Sequence, residues 1–291
     1  MSWRIVVISN KCKLTYKNNH LVIKNSEINL IHLSEINTIV IDAVHVSITG
    51  ILVNELMNRK IKVVFCDERH NPKGEIMQYY GSHNSSKKIY LQSKWEDNVK
   101  NKIWDEIVKQ KIFNQSSVLK KYHKDNWQKL LHNIEEVHNG DITNREGHSA
   151  KVYFNSLFGM DFNRDECNDI NSALDYGYSI LLSNFNREVV SNGNITQLGI
   201  HHKNEFNHFN LSCDLMEPFR PIVDDIVYCN KDCIFDKEYK IKLINILNSK
   251  IFINNKIQYL PNAINIFIKG IIKAIENNDT KYMLRMEGYE F

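Results

Sequence analysis

Gly81-Ser82-His83-Asn84-Ser85-Ser86 is polar and built from small residues, and the hydrophobic period of the chain changes across it. Upstream, β-branched runs of strand length prevail: Thr38-Ile39-Val40-Ile41, Ile61-Lys62-Val63-Val64-Phe65 and a short apolar run from Trp3 to Ile8. Leu14-Thr15-Tyr16 and Leu21-Val22-Ile23 flank Asn18-Asn19, a pair that tolerates the positive φ of a tight hairpin. Ser47 to Met57 carries Ile51, Leu52, Glu55 and Leu56 at helical spacing, with Ser47 as the expected N-cap. Asn71-Pro72-Lys73-Gly74 reads as a turn leading into an extended segment from Glu75 to Tyr80. Downstream the period is helical. Trp95, Val99, Ile103, Ile107 and Val108 form one stripe that Ile112 continues. Further helices are expected over residues 118–137, 144–157, 170–190, 214–228, 239–248 and 262–276. A second Asn-Asn turn, Asn254-Asn255, between Ile251-Phe252-Ile253 and Ile257-Gln258-Tyr259-Leu260, predicts a small hairpin inside the helical part. The fold class is therefore α+β. A β-rich domain with one helix spans residues 1–80, a linker spans 81–86, and a larger helical domain spans 87–291.

Either domain of a 291-residue chain can bury a working core. Apolar content of 43% and charged content of 24% are those of a water-soluble globular protein, and a net charge of +3 does not mark a nucleic-acid binder. Between Gly81 and Leu130, eleven lysines face five acids, an excess that a solvated helix face explains as well as a phosphate-contacting surface does. Ile5-Val6-Val7-Ile8 is too short for the apolar core of a secretory signal, and no segment approaches a membrane span. The six cysteines are scattered; only Cys229 and Cys233 are close, and no second pair completes a zinc site. Reduced thiols in a cytoplasm are the expectation.

Two segments carry residues suited to metal-assisted attack on phosphate. In Arg145-Glu146-Gly147-His148-Ser149-Ala150-Lys151-Val152-Tyr153-Phe154, Glu146 shares a helical face with Ala150, Tyr153 and Leu157, which looks inward. A first-turn glutamate favoured by the helix dipole explains the same position without any function. The second segment runs from Gly199-Ile200-His201-His202 to Asp214-Leu215-Met216-Glu217-Pro218-Phe219-Arg220-Pro221. Asp214 and Glu217 share one face, and Pro218 cannot donate to the Asp214 carbonyl, so the helix is irregular beside the acids. Arg220 either neutralises an acid or holds a phosphate. Carboxylates and a neutral imidazole suit Mg²⁺ or Mn²⁺. No Gly-x-Ser-x-Gly turn, phosphate-binding glycine loop or dinucleotide fingerprint is present, which leaves metal chemistry as the leading class.

With these residues in view, the run from Glu146 to Phe154, the stretch Asn171-Ser172-Ala173-Leu174-Asp175-Tyr176-Gly177-Tyr178, and the blocks around His202 and from Leu211 to Pro221 closely resemble the CRISPR-associated integrase family, the spacer-acquisition endonuclease of bacterial antiviral defence. The likeness covers nearly the whole chain and is nearest to members encoded beside the single-protein RNA-guided effector nuclease. It implies a β-sandwich-like N-domain that dimerises and a helical catalytic domain. It also implies a catalytic, metal-binding triad of Glu146, His202 and Glu217, with Asp214 auxiliary and His202 chosen over its neighbour His201 by its place in the motif. Many members have aspartate where Glu217 stands and asparagine where Asp175 stands. The implied cofactor is Mg²⁺ or Mn²⁺. The implied partners are double-stranded DNA, a second copy of the chain, a small protein that bridges two dimers, and the effector nuclease of the same operon as a further candidate; no membrane is implied. Arg145, Arg220, Lys120 and Lys121 are expected at DNA phosphates, with Lys87-Lys88 as another candidate pair. The implied reaction is attack of a captured fragment's 3′-hydroxyl on a phosphodiester at a repeat border, with hydrolysis when water attacks. A stand-alone nuclease for branched or damaged DNA uses the same residues, and a DNA-binding scaffold with structural acids is the non-catalytic alternative.

Overall fold

The computed structural model describes residues 4–79 and 82–290. Trp3, Tyr80 and Gly81, on which the first strand, the end of the β-rich domain and the start of the linker were expected, lie outside the described residues. The chain divides into two compact units, Met1–Gly81 and Ser82–Phe291.

In the first unit the chain forms β1 (Arg4–Ile8), β2 (Cys12–Lys17), β3 (His20–Lys24), β4 (Ile28–His32), β5 (Ile36–Ile41), β6 (Val46–Ile48), α1 (Gly50–Asn58), β7 (Lys62–Cys66) and β8 (Pro72–Glu75). Asn18 and Asn19 take φ of 48° and 63° and close the β2–β3 hairpin. Two four-stranded sheets result, ordered β1-β5-β7-β8 and β4-β3-β2-β6. Ile8, Leu14, Leu21, Ile39, Leu52, Leu56 and Val63, drawn from both sheets and α1, belong to one buried cluster. Two local expectations change. Ser47 is not an N-cap but the centre of β6, because Val46–Ile48 pairs with β2, and the helix begins only after Thr49. Pro72, Lys73 and Gly74, expected in a turn, instead form with Glu75 a strand antiparallel to β7 that ends where the extended segment was expected to begin, and its proline occupies the edge of the sheet.

The second unit contains α2 (Ser85–Gln92), α3 (Asp97–Lys121), α4 (Trp127–Glu135), α5 (Arg145–Phe158), α6 (Asp169–Ser191), α7 (Asn210–Met216), α8 (Arg220–Cys229), α9 (Lys237–Ile244), β9 (Lys250–Ile253), β10 (Lys256–Tyr259), α10 (Leu260–Asn277) and β11 (Met286–Glu290). Ser85 and Ser86, expected in the linker, already belong to α2. The helix expected over 118–137 is the end of α3 and all of α4. His123 and Asn126 adopt left-handed φ of 51° and 69° between them, which no continuous helix allows. The helix expected over 214–228 is also divided: a 3₁₀ turn, Glu217–Phe219, separates α7 from α8, as the prolines at 218 and 221 require. The Asn254-Asn255 hairpin forms, and β11 adds a third strand to it, so this unit is not all-helical. No helix among the described residues is long and apolar enough to cross a membrane.

α3 and α6 are the buried spines of this unit. Phe219, in the 3₁₀ turn, packs edge-on between Phe185 of α6 and Phe267 of α10, with ring centroids 5.3 and 5.2 Å away. That aromatic clamp holds the turn carrying Glu217 in the core.

Candidate metal centre

Glu146 stands in the first turn of α5, where the helix dipole favours a carboxylate. The turn is fixed from below. The Asp141 carboxylate, nearly buried, accepts the Arg145 and Glu146 backbone N–H groups at 2.8 and 2.9 Å. Asn144 caps the helix by accepting the Gly147 N–H at 3.2 Å. Asp105 of α3 accepts the Gly140 and Asp141 N–H groups at 2.8 and 3.0 Å, which ties the preceding loop to the spine.

Glu217 arrives from the 3₁₀ turn and is buried. Its Oε1 accepts from Arg220 Nη1 at 2.7 Å, and its Oε2 accepts from Lys111 Nζ. The same Lys111 ammonium donates to Glu146 Oε1, so one buried cation joins the two glutamates. Burial alone raises a carboxyl pKa, but Arg220 and Lys111 overcome it and hold Glu217 down to about 2. Burial likewise opposes the charge on Lys111, and Glu217 and Glu146 outweigh it, leaving the ammonium pKa above its ordinary value. Arg220 also lies over the Tyr178 ring, 4.1 Å from its centroid.

His202 comes from a turn wrapped around Asp214 of α7. The fully buried Asp214 accepts the Ile200, His201 and His202 backbone N–H groups at 2.6, 3.0 and 3.1 Å and holds His202 Nδ1 at 2.5 Å. Both Asp214 oxygens are thus used by one turn. This hydrogen bond outweighs burial and raises the His202 pKa, while burial lowers that of His201. Gly199 is required here by close approach: a Cβ would lie 2.5 Å from the His202 carbonyl and 2.8 Å from Asp214 Oδ2. Trp104 of α3 stacks on His201, with centroids 4.4 Å apart and planes 4° from parallel, and meets His202 edge-on at 5.9 Å.

Glu146, His202, Glu217, Arg220, His201, Trp104, Asp141 and Asn144 line one cleft of about 420 Å³. Among the described residues, no three His, Cys, Asp or Glu side chains stand close enough to form a metal-binding group as placed. The donor chemistry still fits a hard divalent cation. Two carboxylates already share one positive charge, and His202 has Nδ1 held by a carboxylate, the arrangement that leaves Nε2 as a metal donor.

The residues expected at DNA phosphates are dispersed. Arg145 pairs with Glu136 at 2.8 Å, Lys121 with buried Asp225 at 2.7 Å, and Lys120 lies 5.2 Å from the centre of the Trp127 ring. Only Arg220 lines the cleft. The sequence reading missed Lys111, Trp104, Asp141 and Asn144. Lys111 carried a signal: it falls four residues after Ile107 on the stripe from Ile103, where a lysine must be buried and paired.

Below the cleft, Asp224 of α8 accepts from Tyr178 and is fully enclosed. Burial pushes its carboxyl up to about 6, against the opposing pull of Tyr178 and Arg220.

A relative named CRISPR-associated endonuclease Cas1, from Neisseria meningitidis serogroup C (strain 8013), is 35% identical over 226 residues, covering 77% of this chain and 74% of that protein. A solved casposase bound to integration product superposes over 100% of this chain and 96% of its own, with TM-score 0.75 and 18% identity. A chain of a Cas6-RT-Cas1–Cas2 complex superposes over 96% of this chain, with TM-score 0.73 and 18% identity; this chain covers 36% of that longer one. Both structures share the α+β fold seen here. Residues 5–247 match the family model described as CRISPR associated protein Cas1, and with the Neisseria relative this shows that the chain belongs to the Cas1 family.

Proposed function

We propose that this chain is a metal-dependent DNA endonuclease and integrase that inserts captured fragments into a CRISPR array. The observation that carries the reading is the meeting of Glu146 and Glu217, from elements far apart in sequence, in the cleft that His202 also lines. Membership in a family whose relative is named an endonuclease, and likeness of fold to a casposase bound to integration product, support it.

Glu146, His202 and Glu217 would hold the Mg²⁺ or Mn²⁺ ion. When bound there, the ion supplies Lewis-acid polarisation of the scissile phosphate and counter-charge for the in-line transition state. Asp214 fixes the His202 ring so that Nε2 is the available donor. The guanidinium of Arg220, braced by Glu217 and Tyr178, offers its remaining N–H groups to a phosphate oxygen. A fragment's 3′-hydroxyl forms the new P–O bond and releases its proton; the repeat's 3′-oxygen leaves and takes one up. Water in place of the hydroxyl gives hydrolysis at the same site. Arg145, Lys120 and Lys121 are proposed at DNA phosphates outside the cleft, a contribution that weakens with salt. The working assembly in this reading is two homodimers bridged by a small protein, a partner class supported by the solved Cas6-RT-Cas1–Cas2 complex, and it acts in the cytoplasm.

Strand transfer by purified protein, with the bridging partner, Mn²⁺ and a repeat-bearing plasmid, tests this. Glu146→Gln, His202→Ala and Glu217→Gln are each expected to lower transfer by roughly 100-fold or more, and chelation of the ion to abolish it. Transfer unchanged in these variants would overturn the site. Cleavage indifferent to both partner and repeat would favour the stand-alone nuclease.

A further inference from the structure

Among the described residues, Lys111 is the one cation that touches both glutamates. It sits on the buried face of α3, is 6% exposed, and joins the first turn of α5 to the 3₁₀ turn before α8. Two neighbours on α3 also contact the site. Trp104, seven residues earlier on the same face, stacks on His201, and Asn114 donates to the Pro218 carbonyl at 2.7 Å. Lys111 is therefore built into the site and is not a side chain passing through it.

The charge balance of this cluster constrains ion binding. Glu146 and Glu217 carry two negative charges; Lys111 and Arg220 supply two positive charges against them. As folded, these four side chains balance. A divalent ion at the same carboxylate oxygens adds two charges that these four side chains do not offset, and in a buried setting such an imbalance is costly. The imbalance is relieved when the Lys111 ammonium gives up the carboxylates, or when a phosphodiester brings negative charge into the cleft.

Resting on the functional reading above, we propose that Lys111 is a positioning residue: an internal counter-cation that keeps Glu146 and Glu217 converged, and with which the divalent ion competes. Its competition makes ion binding weak in the free protein and stronger once a nucleic-acid phosphate is present. The ion is thereby recruited mainly when DNA occupies the cleft, and by linkage the ion and DNA tighten each other's binding.

The test uses the full chain and Lys111→Met, which keeps the length of the side chain and removes the charge. In EDTA the variant is expected to melt roughly 5–10 °C lower, because two glutamates lose their shared cation. Its Mn²⁺ affinity by titration calorimetry is expected to be roughly tenfold tighter or more, since a repulsive charge is gone. A duplex without a free 3′-hydroxyl is expected to tighten Mn²⁺ binding in the parent protein and to do so much less in the variant. Equal Mn²⁺ affinity in the two proteins, with equal coupling to DNA, overturns the proposal. A merely structural lysine moves the melting temperature and leaves the affinity alone. Should Lys111→Met fold poorly, Lys111→Met/Glu146→Gln decides: removal of one now-unpaired carboxylate should restore part of the lost stability in EDTA, and failure to restore any overturns the clamp. A parent protein that shows no Mn²⁺ binding, with or without DNA, sinks the metal reading and the competition with it, while the double variant in EDTA still reports on the clamp separately.

Discussion

Asp214 shows how one residue can position a site without standing in it. Its carboxylate gathers three backbone N–H groups and the His202 ring into one turn. Asparagine has the same shape, but one acceptor oxygen becomes an N–H₂ donor. That donor must face either the amides of Ile200 and His201 or the His202 side, and either choice opposes a donor to a donor. Asp214→Asn is therefore expected to lower strand transfer about 10- to 100-fold in single-turnover assays while the protein stays folded. A change below twofold would mean that His202 does not depend on this contact. Acids and imidazoles beside apolar runs drew attention to Glu146, His202, Asp214 and Glu217, and the family resemblance, not the spacing, chose His202 over His201. Lys111 was not readable in the same way. A lysine among lysines on a long helix looks solvated, and only its alignment with Ile103 and Ile107 distinguishes it.

At the level of elements, the site depends on close packing of α6 against α8, the helix that comes after Glu217. Gly177 of α6 makes that approach possible: a Cβ there would fall 2.4 Å from Val223 Cγ1 and 3.4 Å from Leu243 Cδ2. Gly177→Ala gains a little helix propensity and loses more to overpacking, for a net cost of about 1–3 kcal/mol. Urea unfolding followed by circular dichroism measures it, and a variant as stable as the parent would show that the helices can separate freely. Elements whose boundaries are written in local chemistry were legible: the Asn-Asn hairpins and the long stripe of α3, while Pro218 announced an irregular helix but not its division into α7 and α8. Elements set by pairing across the chain were not. Ser47 has helix-cap chemistry but is claimed by β2, and β11 contains Gly288 and little strand pattern until β9 offers it an edge. The break between α3 and α4 was hidden for another reason. His123 and Asn126 hold left-handed backbone without glycine or proline to announce it.

For the molecule as a whole, every residue of the candidate centre, with its supports Trp104, Asp105, Lys111, Asp141 and Asn144, belongs to the unit Ser82–Phe291. That unit has its own buried spines, α3 and α6, and its own three-stranded sheet. The first unit has a separate cluster of buried apolar residues from its two sheets and α1. Two cores of this kind can melt independently. A fragment of residues 82–291 is therefore expected to fold cooperatively and to show the same Mn²⁺-induced rise in melting temperature as the full chain. In that fragment, Glu217→Gln should abolish the rise, since it removes a buried carboxylate held ionised by Lys111 and Arg220. Differential scanning calorimetry with and without Mn²⁺ makes the measurement. A fragment that folds but no longer responds to the ion would mean that residues before Ser82 complete the centre, and that the convergence of Glu146, Glu217 and His202 is insufficient by itself.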